Sequence, residues 1–249
     1  MLDLFAATPA AIGVSEVARQ LGIPKSSAHG LLATLAARGY LAREATSFRL
    51  AAGLRSGNGL VEGPLARLIQ IAQPVMRAIA DASGESAFLS IMTRERQLKY
   101  VAKAVSTHEV RYDAPLIHPR PLYCSSSGLV ILAHRPAEEV EEYLRRVPLK
   151  PITRRTIADK EEFRRVIAKA KRDGIAESSD ANVPGAAGVS APVLGADGYA
   201  IAAFALVAPT WRYTKSRLQM REQVRAGAAD LMRSLAGYSS RFSDATRKG

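Results

Sequence analysis

Two clusters of small hydroxyl residues are the parts of this 249-residue sequence best suited to chemistry. The first is Lys25, Ser26 and Ser27, with His29 two positions on, at the start of an amphipathic stretch. Small hydroxyls permit close approach to a partner, a lysine reaches a phosphate or a guanine, and the free N–H groups at a helix start suit phosphate. The second is Ser125, Ser126 and Ser127 ahead of Gly128. Backbone and hydroxyl donors at a helix start can hold a carboxylate without a full counter-charge. Both patterns also serve as ordinary helix caps, so the elements around them must decide.

Other fragments do not assemble a catalytic set. Gly188-Val-Ser190-Ala-Pro192 lacks the last glycine of a nucleophile elbow and stands in an apolar segment. The spacing of Gly57, Gly59 and Gly63 has one residue too many for a dinucleotide fingerprint. His29, His108, His118 and His134 lack the spacing of metal ligands, and Glu138, Glu139, Glu141 and Glu142 suit a solvated helix face. The single cysteine, Cys124, has no Cys partner and reads as a small buried hydrophobe. No cofactor, metal or enzymatic activity is expected.

The elements that must position the first cluster lie within fifty residues. Ser15 is suited to cap a helix ending at Leu21, with Gly22 as its stop, and Ile23-Pro24 restarts the chain. Ala28, Leu31, Leu32 and Leu35 then form one apolar stripe, leaving Ser26, Gly30 and Ala33 on the far face. Two short helices joined by a glycine turn make a helix-turn-helix, and the exposed start of its second helix is where base edges are met. Stretches 40–43 and 48–50 flank a polar turn and make a two-stranded wing whose Arg43 and Arg49 are placed to touch a DNA backbone. Ser15, Lys25, Ser26, Ser27, His29, Arg38, Arg43 and Arg49 are therefore the candidate DNA contacts. A packing hairpin with capped ends is the competing explanation of the same spacing.

Glycines at 53, 57, 59 and 63, closed by Pro64, mark a hinge. Beyond it an apolar helical pattern runs from Leu68 to Ile79, with Pro74 as a kink or fresh start. Residues 86–92 and 97–105 read as a strand pair, 109–112 as a third strand, and 189–194 with 199–207 as a late hairpin. Helices are expected over 137–147, from a capping box at Asp159 and Glu162 to Gly174, and over 215–235. Hairpin strands with helices segregated around them are α+β. The division is a DNA-binding domain over 1–52, a hinge and linker over 53–66, and a larger domain over 67–249.

Composition sets the frame. Lys and Arg number 35 against 23 acids, a net charge of +12, with 47% apolar residues. That excludes general disorder and makes a polyanion a plausible partner. Residues 1–55 hold six of the basic residues against three acids, so most of the excess lies outside the first domain. An acid in the first residues and no apolar run long enough to span a bilayer point to a cytoplasmic protein with no membrane partner.

The segment from Val14 to Leu41 resembles the DNA-binding part of the IclR family of bacterial transcription regulators. Pro121-Leu-Tyr-Cys-Ser-Ser-Ser-Gly128 with Leu132-Ala133 is similar to a loop-and-helix segment of that family. Gly174-Ile-Ala, Pro184-Gly185 and Ser190-Ala-Pro-Val193 are similar to its later effector-domain signature. The resemblance implies a linker helix to a GAF-like α/β effector domain with a mainly antiparallel sheet. It also implies a small-molecule pocket, a homodimer or tetramer, and a palindromic double-stranded operator. Carried over by position, the pocket is Ser125, Ser126, Ser127, Ser178, Ala186, Gly188, Ala205 and Val207.

The chain departs from the family at Gly30, where arginine is common; at its start, where Met1 falls inside the expected first helix; and at Ser178, Ala205 and Val207, where an acid and serines are common. The last change makes the walls more apolar and favours an aromatic or hydrophobic carboxylate that controls a catabolic operon. A small-molecule enzyme and a nucleic-acid-binding factor without a ligand are the alternatives on the same domains.

Overall fold

The computed structural model describes residues 1–8, 10–37, 40–50, 64–116 and 118–246. It divides into two compact units, residues 1–68 and 69–249. The glycine-rich hinge from 53 to 63 and Arg38 lie outside the described residues.

The first unit runs α1 (Leu2–Ala7), β1 (Ile12–Gly13), α2 (Val14–Leu21), α3 (Lys25–Ala37), β2 (Leu41–Glu44) and β3 (Ser47–Leu50). Its three strands form an antiparallel sheet in the order β1-β3-β2. Phe5, Ile12, Val17, Ala18, Ala28, Leu32, Leu41 and Phe48 make the core. Gly22 closes α2 in the left-handed region at φ 63°, and Ile23 N–H donates to the Ala18 carbonyl at 3.1 Å, the wrapped-over end that lets a second helix begin at once. Two expectations need correction. Helix α2 is capped at Gly13 and not at Ser15, because β1 delivers the chain directly into the helix and leaves Ser15 in its first turn. Leu31 is 50% exposed, since it sits about 60° from Ala28 around the helix, at the margin of the narrow face this small core covers.

The second unit adds α4 (Pro64–Ser83), which spans the division, then β4 (Ser86–Met92), β5 (Gln97–Ala104), β6 (Arg120–Pro121), α5 (Ser126–Ala133), α6 (Ala137–Arg146), α7 (Lys160–Asp173), β7 (Ala176–Ser179), β8 (Ala186–Leu194), β9 (Ala200–Pro209) and α8 (Thr210–Thr246). Six strands form one sheet, β6-β5-β4-β9-β8-β7, with every described pairing antiparallel. Both α5 and α8 pack on β8 and β9. Those two strands are buried along almost their whole length, as a sheet covered on both faces requires. The class is α+β.

Helix α4 runs through Pro74 without restarting. Leu68, Ala72, Met76 and Ala80 are all buried, and that continuous apolar face outweighs one missing backbone donor. Residues 109–112 form no strand; the free edge of β5 is taken by Arg120–Pro121, and Arg111 folds back to donate to the His108 carbonyl at 3.0 Å. The expected cap at Asp159 holds, with its carboxylate accepting from Glu162 N–H at 2.7 Å.

Candidate DNA-binding surface and small-molecule recess

In the first unit the start of α3 is open. Lys25, Ser26, Ser27 and His29 are exposed, and Lys25 shares a surface recess with Ser15, Glu16, Arg19 and Thr46. Arg19 and Thr46 were not singled out from sequence. Arg19 is held by Glu16, whose carboxyl the Arg19 guanidinium and then the Gln20 amide lower to about 2. The wing turn is Ala45-Thr46, with Ala45 at φ 51°, a left-handed conformation unusual for alanine. The wing arginines are partly engaged. Arg49 pairs with Glu44 at 2.5 Å, and Arg43 donates to the Ala45 carbonyl at 3.3 Å with its guanidinium carbon 5.9 Å from the Phe48 ring centre.

In the second unit the serine cluster is buried and tied to itself. Ser125 caps α5, its Oγ accepting from Gly128 N–H at 3.2 Å. Ser126 N–H donates to Ser178 Oγ at 3.0 Å, while the hydroxyls of Ser126 and Ser127 lie 2.8 and 3.0 Å from Ser190 Oγ. Gly128 is required by close packing, because a Cβ there would stand 2.0 Å from the Leu122 carbonyl oxygen. At Gly188 a Cβ would come within 3.1 Å of Ser126 Oγ, so the glycine keeps β8 against the helix start.

These groups border a small recess that opens to solvent. Of the sequence-predicted residues, Ser125, Ser126, Ser178, Ala186, Gly188 and Val207 line it. Ser127 does not, although its hydroxyl shares Ser190 with that of Ser126. Ala205 does not either, because it is fully buried and stays under α5, which packs across β8 and β9. Sequence reasoning did not find Tyr100, Tyr112, Cys124, Ala181, Asn182 and Val183 on the wall. Tyr100 belongs to an alternation of buried residues along β5, a signal that points to core and not to a ligand.

The wall is neutral, with no Asp, Glu, Lys or Arg among its residues. Burial drives the Tyr100 phenol well above its ordinary pKa, with Tyr112 adding to the shift. Burial also pushes the Cys124 thiol up to about 11, so it remains protonated and donates to the Pro121 carbonyl at 3.2 Å.

The loop beside the recess is anchored by Asp180. Its Oδ1 accepts from Gly185 N–H at 2.6 Å and Thr210 Oγ at 3.1 Å, and the Gly185 hydrogen bond leads in holding its carboxyl below the ordinary value. On β7, Ser178 reaches α5 while its neighbour Glu177 pairs with Arg217 of α8 at 2.7 Å and accepts from Tyr213. Burial opposes ionisation of Glu177, but the hydrogen bonds from Arg217 and Tyr213 prevail and its carboxyl sits below the ordinary range. Among the described residues no three His, Cys, Asp or Glu side chains group as a metal site needs, and no helix is long and apolar enough to cross a membrane.

A winged helix-turn-helix with an open recognition-helix start, on one chain with a separate α/β unit, defines a DNA-binding transcription regulator. The profile of the IclR helix-turn-helix domain matches residues 1–45, and that of the bacterial transcriptional regulator IclR C-terminal domain matches residues 65–233; the chain belongs to the IclR family. Among its relatives, the HTH-type transcriptional regulator KdgR of Escherichia coli strain K12 is 28% identical over 84% of this chain and 79% of its own. The HTH-type transcriptional regulator KipR of Bacillus subtilis strain 168 is 28% identical over 96% of this chain and 95% of its own. Both are named as regulators and not as enzymes. A solved IclR homolog from Microbacterium hydrocarbonoxydans, complexed with 4-hydroxybenzoate, shares the fold with a TM-score of 0.67 at 24% identity, covering 95% of this chain and 98% of that one.

Proposed function

We propose that this regulator is controlled by a small organic acid with an aromatic or hydrophobic body, bound in the serine-edged recess, and that it governs a catabolic operon. The observation that supports this most is the pairing of donors with neutral walls. Ser178 Oγ accepts from the first N–H of α5 and keeps its own proton for a ligand, so it extends the helix start into the recess. Around it stand Val183, Val207, Tyr100 and Tyr112, with no acid to repel a carboxylate. The 4-hydroxybenzoate bound to the Microbacterium homolog is a ligand of that kind.

Lys25, Ser26, Ser27 and His29 of α3, with Ser15, Arg38 and the wing residues Arg43 and Arg49, are the proposed operator contacts. Two copies of the chain, as a dimer or within a tetramer, present two such helices to a palindromic operator. The effector acts by binding unequally to arrangements that space those helices differently, since equal affinity would shift nothing.

The test is a thermal-shift screen of 4-hydroxybenzoate and other small carboxylates on the full chain, followed by gel shift with operator DNA. The wild type is expected to be stabilised by an aromatic acid and to change its operator affinity with it. Ala186→Phe, which fills the mouth of the recess from a half-buried position, is expected to abolish both responses and keep ligand-free DNA binding. Unchanged effector response in Ala186→Phe would place the ligand elsewhere. Turnover of a compound in the screen would reinstate an enzyme.

A further inference from the structure

Beside the neutral recess lies an arginine, Arg120, that no carboxylate among the described residues pairs with. Arg120 lies on the two-residue strand β6, with its guanidinium carbon 4.5 Å from the centre of the Tyr100 ring. One of its terminal nitrogens, Nη1, is buried without a hydrogen-bond partner, and no carboxylate pairs with it among the described residues. Several other arginines of this unit are paired with acids. Arg96, Arg135, Arg164, Arg212 and Arg217 each hold a carboxylate, at 2.5 to 3.0 Å for Arg96, Arg135 and Arg217. A buried guanidinium nitrogen with no acceptor costs stability and calls for a missing partner.

The position of Arg120 identifies the kind of partner. Tyr100 and Cys124 both line the recess, and the Arg120 charge is felt at the phenol of the one and the thiol of the other. The water-poor wall between them screens that charge less than bulk solvent does. The serines supply direction and hydrogen bonds, but they supply no net charge. We infer that Arg120 is the counter-charge of the recess, a positioning residue that selects an anionic ligand through the Tyr100 and Cys124 wall. A carboxylate in the recess would offset the Arg120 charge across that wall without contacting it, since Arg120 is not among the lining residues. This deepens the proposed effector reading and rests on it.

The experiment compares wild type, Arg120→Met and Arg120→Lys as full chains, with 4-hydroxybenzoate and its uncharged analogue 4-hydroxybenzamide as probes, by calorimetry and thermal shift. Arg120→Met is expected to melt at or above the wild-type temperature without ligand, to bind 4-hydroxybenzoate about tenfold or more weakly, and to bind the amide as the wild type does. Arg120→Lys, which keeps the charge but not the planar guanidinium over Tyr100, is expected to bind 4-hydroxybenzoate more tightly than Arg120→Met does. Equal loss of acid and amide in Arg120→Met, or a lowered ligand-free melting temperature, would make Arg120 a structural residue and overturn the inference. Carboxylate binding unchanged in Arg120→Met would overturn it while leaving the effector reading intact. No carboxylate response in the wild type would overturn both.

Discussion

Two helices in this protein carry a Ser-Ser dipeptide in the first turn and a glycine soon after it, yet they are opposite in character. In α3, Ser26, Ser27 and Gly30 are all exposed, and a Cβ on Gly30 would meet nothing within 4 Å. In α5, Ser126, Ser127 and Gly128 are all buried, and a Cβ on Gly128 would collide with a backbone oxygen. The serines of α5 are bound to Ser178 and Ser190, while those of α3 face solvent. Identical residue types therefore do different chemistry because of what surrounds them. An open helix start is free to meet a partner, and a closed one forms part of the wall of a recess.

Gly128→Ala tests the closed side most severely. Overpacking against backbone cannot be relieved by a side-chain rotation, so the second unit is expected to lose about 3 kcal/mol or more in denaturant unfolding. A loss under about 1 kcal/mol would show that the start of α5 is looser than its geometry. On the open side, Lys25→Ala with Ser27→Ala is expected to leave the melting temperature unchanged and weaken operator binding by about 1–3 kcal/mol per lost base contact, with the salt dependence lowered by about one phosphate. Unchanged affinity and sequence preference in gel shift would remove α3 from the interface.

Ser190→Ala should fall between the two helices in severity. It leaves the Ser126 and Ser127 hydroxyls without their shared partner, a cost of about 1–3 kcal/mol that unfolding measurements would register. The smallest effect has the opposite sign. Gly30→Ala meets open space and gains helix propensity, so the first unit should be stabilised by about 1 kcal/mol. Destabilisation there would show that Gly30 is packed in a way its surroundings do not reveal.

Much of this organisation was legible from local pattern. Gly22 and Gly174 end their helices in the left-handed conformation their positions suggested, and β4 spans the expected residues 86–92. These features depend on neighbours in sequence, where glycine and alternation speak directly. Exposure was harder. Leu31 fits an apolar stripe by spacing but lies beyond the reach of a small core, and Ser15 looks like a cap although β1 had already set the start of the helix. The serine side of the recess was found through its resemblance to known regulators. The tyrosine side was not, since Tyr100 and Tyr112 reach the recess only through strand order and a loop path that no local pattern encodes. Arg120 gave no sequence signal at all; its interest lies in a partner it lacks.

The strand β7 is four residues long and pairs only with β8 among the described strands. Because successive side chains of a strand point to opposite faces, Ser178 serves α5 and Glu177 serves α8 from adjacent positions. Left-handed residues, Gly174 before the strand and Asp180 after it, pin the segment at each end. The number of residues between those pins is therefore as constrained as their identity. Inserting or deleting one would hand the carboxylate to the recess and the hydroxyl to the arginines, so this stretch should accept substitutions more readily than any change of length.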